Sequence, residues 1–399
     1  MKRIFPFLIG YLLFVFACSD KTEKSPVDPE LRAIADSMQQ KYLPDRRVDV
    51  FDVEIDEVDG KPVLRGATTL PEAHDELLAL ARKERPEVLD SILLLPDTAL
   101  QGRTYGVINL SVADMRVKSG FASEMATQAL LGTPVRVLQK GRWYRLQTPD
   151  RYISWAESST FQPMTKEEFN EWIVAPKIVY TDYYGFSYQK PDEKSQTVSD
   201  LVYGNILRLE GEEKGFYKVA YPDGRQAFVP KSRVLKMEKW LTSNPLTGES
   251  LVKKAFTLMG IPYSWGGTSV KQLDCSGLTK TVFFMHGVIL MRDASQQVHT
   301  GEPVDISAGY DNLQAGDLMF FGKKTEDGKE KIRHVGFYIG NKEFIHEAGR
   351  VKVSSLDSTK TNYDEYNTRE FIRAARFIHA VGTPGIWSVA DHPWYKVQP

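Results

Sequence analysis

Part of the chain is written twice. Gly132-Thr133-Pro134-Val135-Arg136-Val137-Leu138 returns as Gly204-Asn205-Ile206-Leu207-Arg208-Leu209, Trp143-Tyr144-Arg145-Leu146 as Phe216-Tyr217-Lys218-Val219, and Pro149-Asp150 as Pro222-Asp223. The offset stays at 72 to 73 residues. Each copy consists of short strand-like runs broken by turn residues, and repetition at one period means one small unit used twice. Two small β-barrels, over 101–163 and 177–240, are expected. Between them Thr165, with Glu168 three residues on and Phe169, Trp172 and Ile173 following, makes a capping box and a linker helix over 164–176.

Chemistry enters at Asp274-Cys275-Ser276-Gly277-Leu278, which follows the loop Pro262-Tyr263-Ser264-Trp265-Gly266-Gly267. Leu278, Val282 and Met285 recur at helical spacing and Gly287 supplies a stop, so Cys275 falls at a helix N-terminus. Unpaired N–H groups and the helix dipole favour the thiolate there, so the thiol is expected to be more acidic than a free one. A lone cysteine is more often a small buried hydrophobe. This one has company downstream. His334-Val335-Gly336-Phe337-Tyr338-Ile339 and Glu343-Phe344-Ile345-His346 are alternating runs around a Gly-Asn turn, a β-hairpin carrying two histidines. A two-residue loop would put His334 and His346 on opposite faces. A three-residue loop, Gly340 to Lys342, puts both on one face with Gly336 opposite His346, and is the expected one. His334 can then act as base for Cys275 while His346 orients it.

These motifs, with Asn312-Leu313-Gln314-Ala315-Gly316-Asp317-Leu318-Met319-Phe320-Phe321, resemble the NlpC/P60 family of cysteine peptidases over about 247–380. The paired barrels resemble bacterial SH3 domains. The resemblance implies a multidomain α+β chain: a papain-like catalytic domain preceded by two SH3b-type barrels and a small N-terminal α/β domain. It also implies hydrolysis of cell-wall stem peptides after γ-linked D-glutamate, with muropeptides as partners and no cofactor. Two barrels before this domain resemble the dipeptidyl-peptidase VI subgroup, in which the first barrel lends an acidic residue and a tyrosine to the cleft. By that resemblance Glu124 and Tyr152 bind the free amine of an N-terminal L-alanine, and both can accept charge-assisted hydrogen bonds from an ammonium. Tyr263 would help hold the oxyanion and Trp265 would wall the cleft. Asp274 and Ser276 would contact the peptide, as would Asp293 and Ser295, although Ala294 interrupts the subgroup's Arg-Asp-Ser order. A solvated Glu124, and Tyr152, Tyr263 and Trp265 as core aromatics, are the plainer alternatives. A wall-binding scaffold without turnover, or an amidase or acyltransferase on the same fold, are the rival functions.

Met1-Lys2-Arg3 and the apolar run Ile4 to Ala17 read as an export signal over 1–17, too short for a confident membrane span. Its end, Val15-Phe16-Ala17-Cys18-Ser19, resembles a bacterial lipoprotein box, which implies lipidation at Cys18, a polar tether over 18–28 and a membrane-anchored protein of the cell envelope; a plain secretory signal is the alternative. Cys18 and Cys275 are the chain's two cysteines, so a lipidated Cys18 leaves Cys275 without a disulfide partner. No cluster has zinc-ligand spacing, and no metal is expected. Basic and acidic residues balance at 51 and 52, with no basic patch interleaved with aromatics, which removes the case for nucleic acid.

Residues 29–100 read as a small α/β domain: a helical stripe Leu31, Ile34, Ala35, Met38, Tyr42, strands over 48–55, 62–70 and 88–95, and a helix opened by Pro71. His74 is expected to be structural, on a solvent face among acidic residues. His286, His299, His379 and His392 are expected at surfaces or helix ends, and 381–399 as a C-terminal tail.

Overall fold

The computed structural model describes residues 28–396. The export signal over 1–17, the lipidation of Cys18 and nearly all of the 18–28 tether lie outside the described residues. Among the described residues no helix is long and apolar enough to cross a membrane.

Asp28 caps the helix Pro29–Tyr42 by accepting from the N–H groups of Glu30 and Leu31. Leu31, Ala35 and Met38 line its buried face and meet Ala73, Leu77 and Ala81 of the helix Pro71–Glu84. Both helices pack on a three-stranded sheet. Phe51–Val58 and Lys61–Thr68 pair antiparallel, and Leu89–Leu94 runs parallel to the second, as its crossover through a helix requires. His74 is not on a solvent face. It is buried, with its ring nitrogens 2.9 Å from Asp75 and 3.0 Å from Asp90. Burial pulls its pKa down, but hydrogen bonds and charge from the two aspartates outweigh that and raise it.

The two barrels share one topology. Each has seven strands, Tyr105–Ile108 to Phe161–Met164 in the first and Lys177–Tyr180 to Val234–Lys236 in the second. Counted in chain order within a barrel, both sheets run 7-1-4-5-6-2-3. The linker helix Lys166–Val174 begins with the Thr165–Glu168 capping box and buries Phe169 and Trp172. The barrels touch where Ile206 N–H donates to Leu131 O, 2.9 Å.

The remaining chain builds a six-stranded antiparallel sheet in the order Glu302–Val304, Phe371–Arg376, Leu318–Lys324, Glu330–Gly340, Glu343–Glu347, Val351–Ser355. Helices Gly248–Phe256 and Cys275–Phe284 pack on one face through Leu251, Leu278, Val282 and Phe283 against Phe320, Val335, Phe337 and Ile345. Residues 381–396 are no trailing tail. Ile386–Ser388 pairs with Val288–Leu290, and His392 packs back on the first barrel with Nε2 2.9 Å from Pro149 O. His392 is therefore buried, as is His286 between Ser250 Oγ and Val282 O, at 2.9 and 2.8 Å. His299 and His379 are exposed, as expected.

Candidate active site

Cys275 is the first residue of the helix Cys275–Phe284, whose N-cap Asp274 accepts from Gly277 N–H at 2.7 Å. Gly277 is required by close approach: a Cβ there would stand 1.9 Å from Gly267 O. The glycine loop can thus lie directly on the helix start. The expected acidity of the thiol is not what this setting produces. Burial, then the neighbouring Asp274 carboxylate, pushes the half-buried Cys275 up to about 12. Hydrogen bonds from the Val335 and Ser276 backbone N–H groups oppose this and are outweighed.

The histidine hairpin reaches its register by a route other than the expected one. Its loop is two residues, Asn341 and Lys342, both in the left-handed region that such turns demand (φ 53° and 61°). The strand then shifts register between Tyr338 and Gly340, and that bulge restores the parity a two-residue loop would have lost. Gly336 lies opposite His346, as expected. A Cβ at Gly336 would stand 2.9 Å from His346 Cβ, so glycine makes room for the second imidazole.

His334 Nε2 lies 2.8 Å from His346 Nδ1, and His346 Nε2 lies 2.9 Å from Ser354 Oγ. With Nε2 engaged, Nδ1 is the nitrogen left to His334 for other work. For Nδ1 to accept a proton, His334 Nε2–H must donate to His346, whose own Nε2–H then donates to Ser354. Asp364 stands 4.0 Å beyond His346 Nε2. Burial pushes both histidines down, His346 to about 4 and His334 well below its ordinary value, with His346 adding to the depression of His334. Both are neutral at neutral pH. The Val335 N–H that reaches the Cys275 sulfur belongs to the residue beside His334, so the hairpin and the helix start form one site.

Asp274 and Ser276, expected to contact peptide, are buried and engaged by Arg292. Arg292, 1% exposed, donates to Asp274 Oδ1 at 3.1 Å and Oδ2 at 2.5 Å and to Ser276 Oγ at 3.0 Å. Gly266 N–H takes the remaining access to Asp274 Oδ2 at 2.9 Å. Arg292 Nε donates to Thr127 Oγ1 at 2.9 Å, which ties the first barrel to the nucleophile's loop. Tyr263 and Trp265 are not core aromatics: they are 39% and 61% exposed. Burial of its ring, then the charge of Cys275, pushes the Tyr263 hydroxyl up to about 12, so it is a donor at working pH. Glu124 is exposed and precedes Met125, whose carbonyl abuts Gly266 beside Trp265. Tyr152 is buried next to Asp293; burial, then the Asp293 charge, raises its phenol. Asp293 and Ser295 meet Arg47 from the N-terminal unit, at 2.9 and 2.8 Å.

The sequence profile of the NlpC/P60 family matches residues 260–373, and that of the bacterial dipeptidyl-peptidase Sh3 domain matches 115–160. A γ-D-glutamyl-L-lysine dipeptidyl-peptidase of Bacillus cereus is 31% identical over 234 residues, which is 56% of this chain and 68% of the relative. The chain belongs to the NlpC/P60 family. It is accordingly a hydrolase of the peptidase type. A dipeptidyl-peptidase 6 of Lysinibacillus sphaericus is 25% identical over 64% of this chain and 93% of its own length. A crystal structure of an NlpC/P60 family protein from Bacillus cereus superposes with a TM-score of 0.57 at 25% identity, covering 69% of this chain and 99% of that one. Several residues of this NlpC/P60 site escaped the sequence reading. Ser354 and Asp364 carried no motif, and Arg47 lies far from every motif. Glu347, buried with neither carboxylate oxygen hydrogen-bonded, was hidden by following His346 in a strand. Arg292 is the Arg of the Arg-Asp-Ser resemblance, which gave it no role of its own.

Proposed function

We propose that the protein cleaves the γ-D-glutamyl to diamino acid bond of peptidoglycan stem peptides bearing a free N-terminal L-alanine, releasing L-Ala-γ-D-Glu. The observation that carries the chemistry is the chain from His334 Nε2 to His346 to Ser354, which leaves Nδ1 as the base for a cysteine at a helix start. The γ-D-glutamyl-L-lysine and dipeptidyl names of the relatives support the bond and the direction.

His334 Nδ1 takes the Cys275 proton as Sγ attacks the γ-carbonyl carbon. The carbonyl π electrons move to oxygen, where the Cys275 backbone N–H, an unpaired donor of the helix's first turn, and the Tyr263 hydroxyl stabilise the charge. Collapse breaks the C–N bond while His334 returns its proton to the leaving amine, and the acyl group remains on sulfur. Water then gives a proton to His334 and its oxygen to the acyl carbon, and Cys275 leaves as thiol. Glu124, with Tyr152 and Asp293, makes the acidic end of the cleft that receives the ammonium. Trp265 walls it. Export and lipidation at Cys18 belong to the same proposal, and the mass of the mature N-terminal peptide tests them.

The deciding experiment is mass spectrometry of products from L-Ala-γ-D-Glu-L-Lys and its N-acetylated form, with the protein and its Cys275→Ala variant. Cysteine-dependent release of L-Ala-γ-D-Glu from the free-amine peptide alone is expected. Equal turnover of both peptides would remove the free-amine requirement, and no turnover of either would remove the assigned bond.

A further inference from the structure

Residues 28–95 lie outside both matched family segments, yet their loop after Tyr42 reaches Asp293 and Ser295 of the catalytic domain. Arg47 is its working residue. Nη1 donates to Asp293 Oδ2 at 2.9 Å and to Ser295 Oγ at 2.8 Å, while Nε and Nη2 grip Asp45 at 2.7 and 2.9 Å. Gln296 Nε2 returns from the catalytic domain to Asp45 Oδ2 at 2.8 Å. The backbone is fixed as well: Arg47 O accepts from Ile153 N–H at 2.7 Å, next to Tyr152, and Val48 O accepts from Gln147 at 2.9 Å. Further along the same face Asp49 pairs with Arg151 and Asp52 with Arg145, at 3.1 and 2.6 Å.

Charge gives this arrangement a direction. Arg292 meets Asp274 closely and stands 4.0 Å from Asp293, so Asp45, Arg47, Asp274, Arg292 and Asp293 together keep one unbalanced negative charge beside the Tyr152 phenol. An ammonium neutralises it. A carboxylate that must meet an ammonium in one geometry needs its side chain held; Asp293 is anchored on one side as the N-cap of Ala294–Gln297, and the planar Arg47 guanidinium shared with Asp45 and Ser295 fixes it from the other.

We infer that Arg47 is a positioning residue for substrate selection: the N-terminal domain closes the amine end of the cleft and holds Asp293 against Tyr152 to receive the substrate's free ammonium. This rests on the free-amine reading above. The domain is thus part of the active site, and selection for the free amine depends on three units of the chain meeting at one point.

The test measures KM and kcat on L-Ala-γ-D-Glu-L-Lys for Arg47→Ala, Arg47→Lys and Asp52→Asn, the last weakening a docking contact of the domain away from Asp293. Expected for Arg47→Ala is a KM raised about tenfold with kcat within about twofold, and partial recovery in Arg47→Lys. Asp52→Asn should match the parent. An unchanged KM in Arg47→Ala overturns the inference, as does the same change in Asp52→Asn, which would mean docking alone matters. Calorimetric binding of L-Ala-γ-D-Glu to the Cys275→Ala protein, with and without Arg47→Ala, separates this from the reaction assignment. Weaker binding on loss of Arg47 supports the inference even if the tripeptide is not cleaved; equal binding, or none to either protein, overturns it.

Discussion

Arg292 and Asp274 form a buried ion pair in which the guanidinium meets both carboxylate oxygens, and Asp274 in turn caps the helix that begins with the nucleophile. Removing one partner of such a pair strands a charge in a low-dielectric interior, which costs about 3 to 5 kcal/mol. Arg292→Ala should therefore lower unfolding stability by that amount, read by chemical denaturation, and abolish turnover together with it. A variant that keeps its stability but loses turnover would mean that Arg292 acts on substrate instead.

Ser354 predicts a graded effect behind His346. It takes the hydrogen bond of His346 Nε2 at 2.9 Å, and a neutral hydrogen bond contributes about 0.5 to 1.5 kcal/mol. Ser354→Ala should lower kcat about three- to tenfold with KM unchanged. His346→Ala, which removes the orienter itself, should lower kcat by about two orders of magnitude or more. Equal losses in the two variants would place the serine in direct contact with substrate.

With Cys275 pushed up and both histidines pushed down, the resting pair is a thiol beside a neutral imidazole. Alkylation by iodoacetamide should then be slow near pH 7 and climb with pH into the alkaline range. Fast alkylation that stays level down to about pH 5 would show a preformed thiolate. The same burial makes a stability prediction. His346, near 4 when folded and 6.5 when unfolded, stays neutral while the unfolded chain gains a proton, so its contribution is lost as pH falls from 6.5 towards 4. The loss is about 3 kcal/mol at most, and His334 adds to it in the same direction.

What the sequence made legible was local. The repeat, the Thr165 capping box and the Asp274 cap depend on neighbours within a few residues, and the pairing of Gly336 with His346 depends on parity alone. Parity could not say how it was met, and so the turn at Asn341-Lys342 with its bulge was read as a longer loop. Contacts between distant segments have no period. Arg47 and Asp293 are 246 positions apart and Thr127 and Arg292 are 165, and no spacing rule joins them. His286, just past the Met285 cap, and His392, the N-cap of the short helix Pro393–Tyr395, stand at helix ends as expected, but their burial has no local signal, because Ser250 and Pro149 come from other elements. The inward contacts of Asp274 and Ser276 were equally illegible, because a residue flanking a nucleophile carries no local sign that Arg292 will engage it.

Glu347 gives a pH dependence of opposite sign. Burial, then the charge of Asp274, raises its carboxyl to about 7 from 4.5, and neither oxygen has a hydrogen-bond partner. Between those values the folded protein keeps a proton that the unfolded chain has released, so stability falls as pH rises from 4.5 to 7 and stays down above it. The shift corresponds to about 3 kcal/mol. Glu347→Gln removes the titration while still burying a polar group, so its effect should depend on pH. Denaturation at about pH 5 and pH 8 should show that the variant loses less stability than the parent on going to the higher pH, by up to that amount. Identical pH dependence in parent and variant would mean that Glu347 is ionised and paired throughout, and the buried carboxyl beside Tyr263 would then need a cation that the folded chain brings to it.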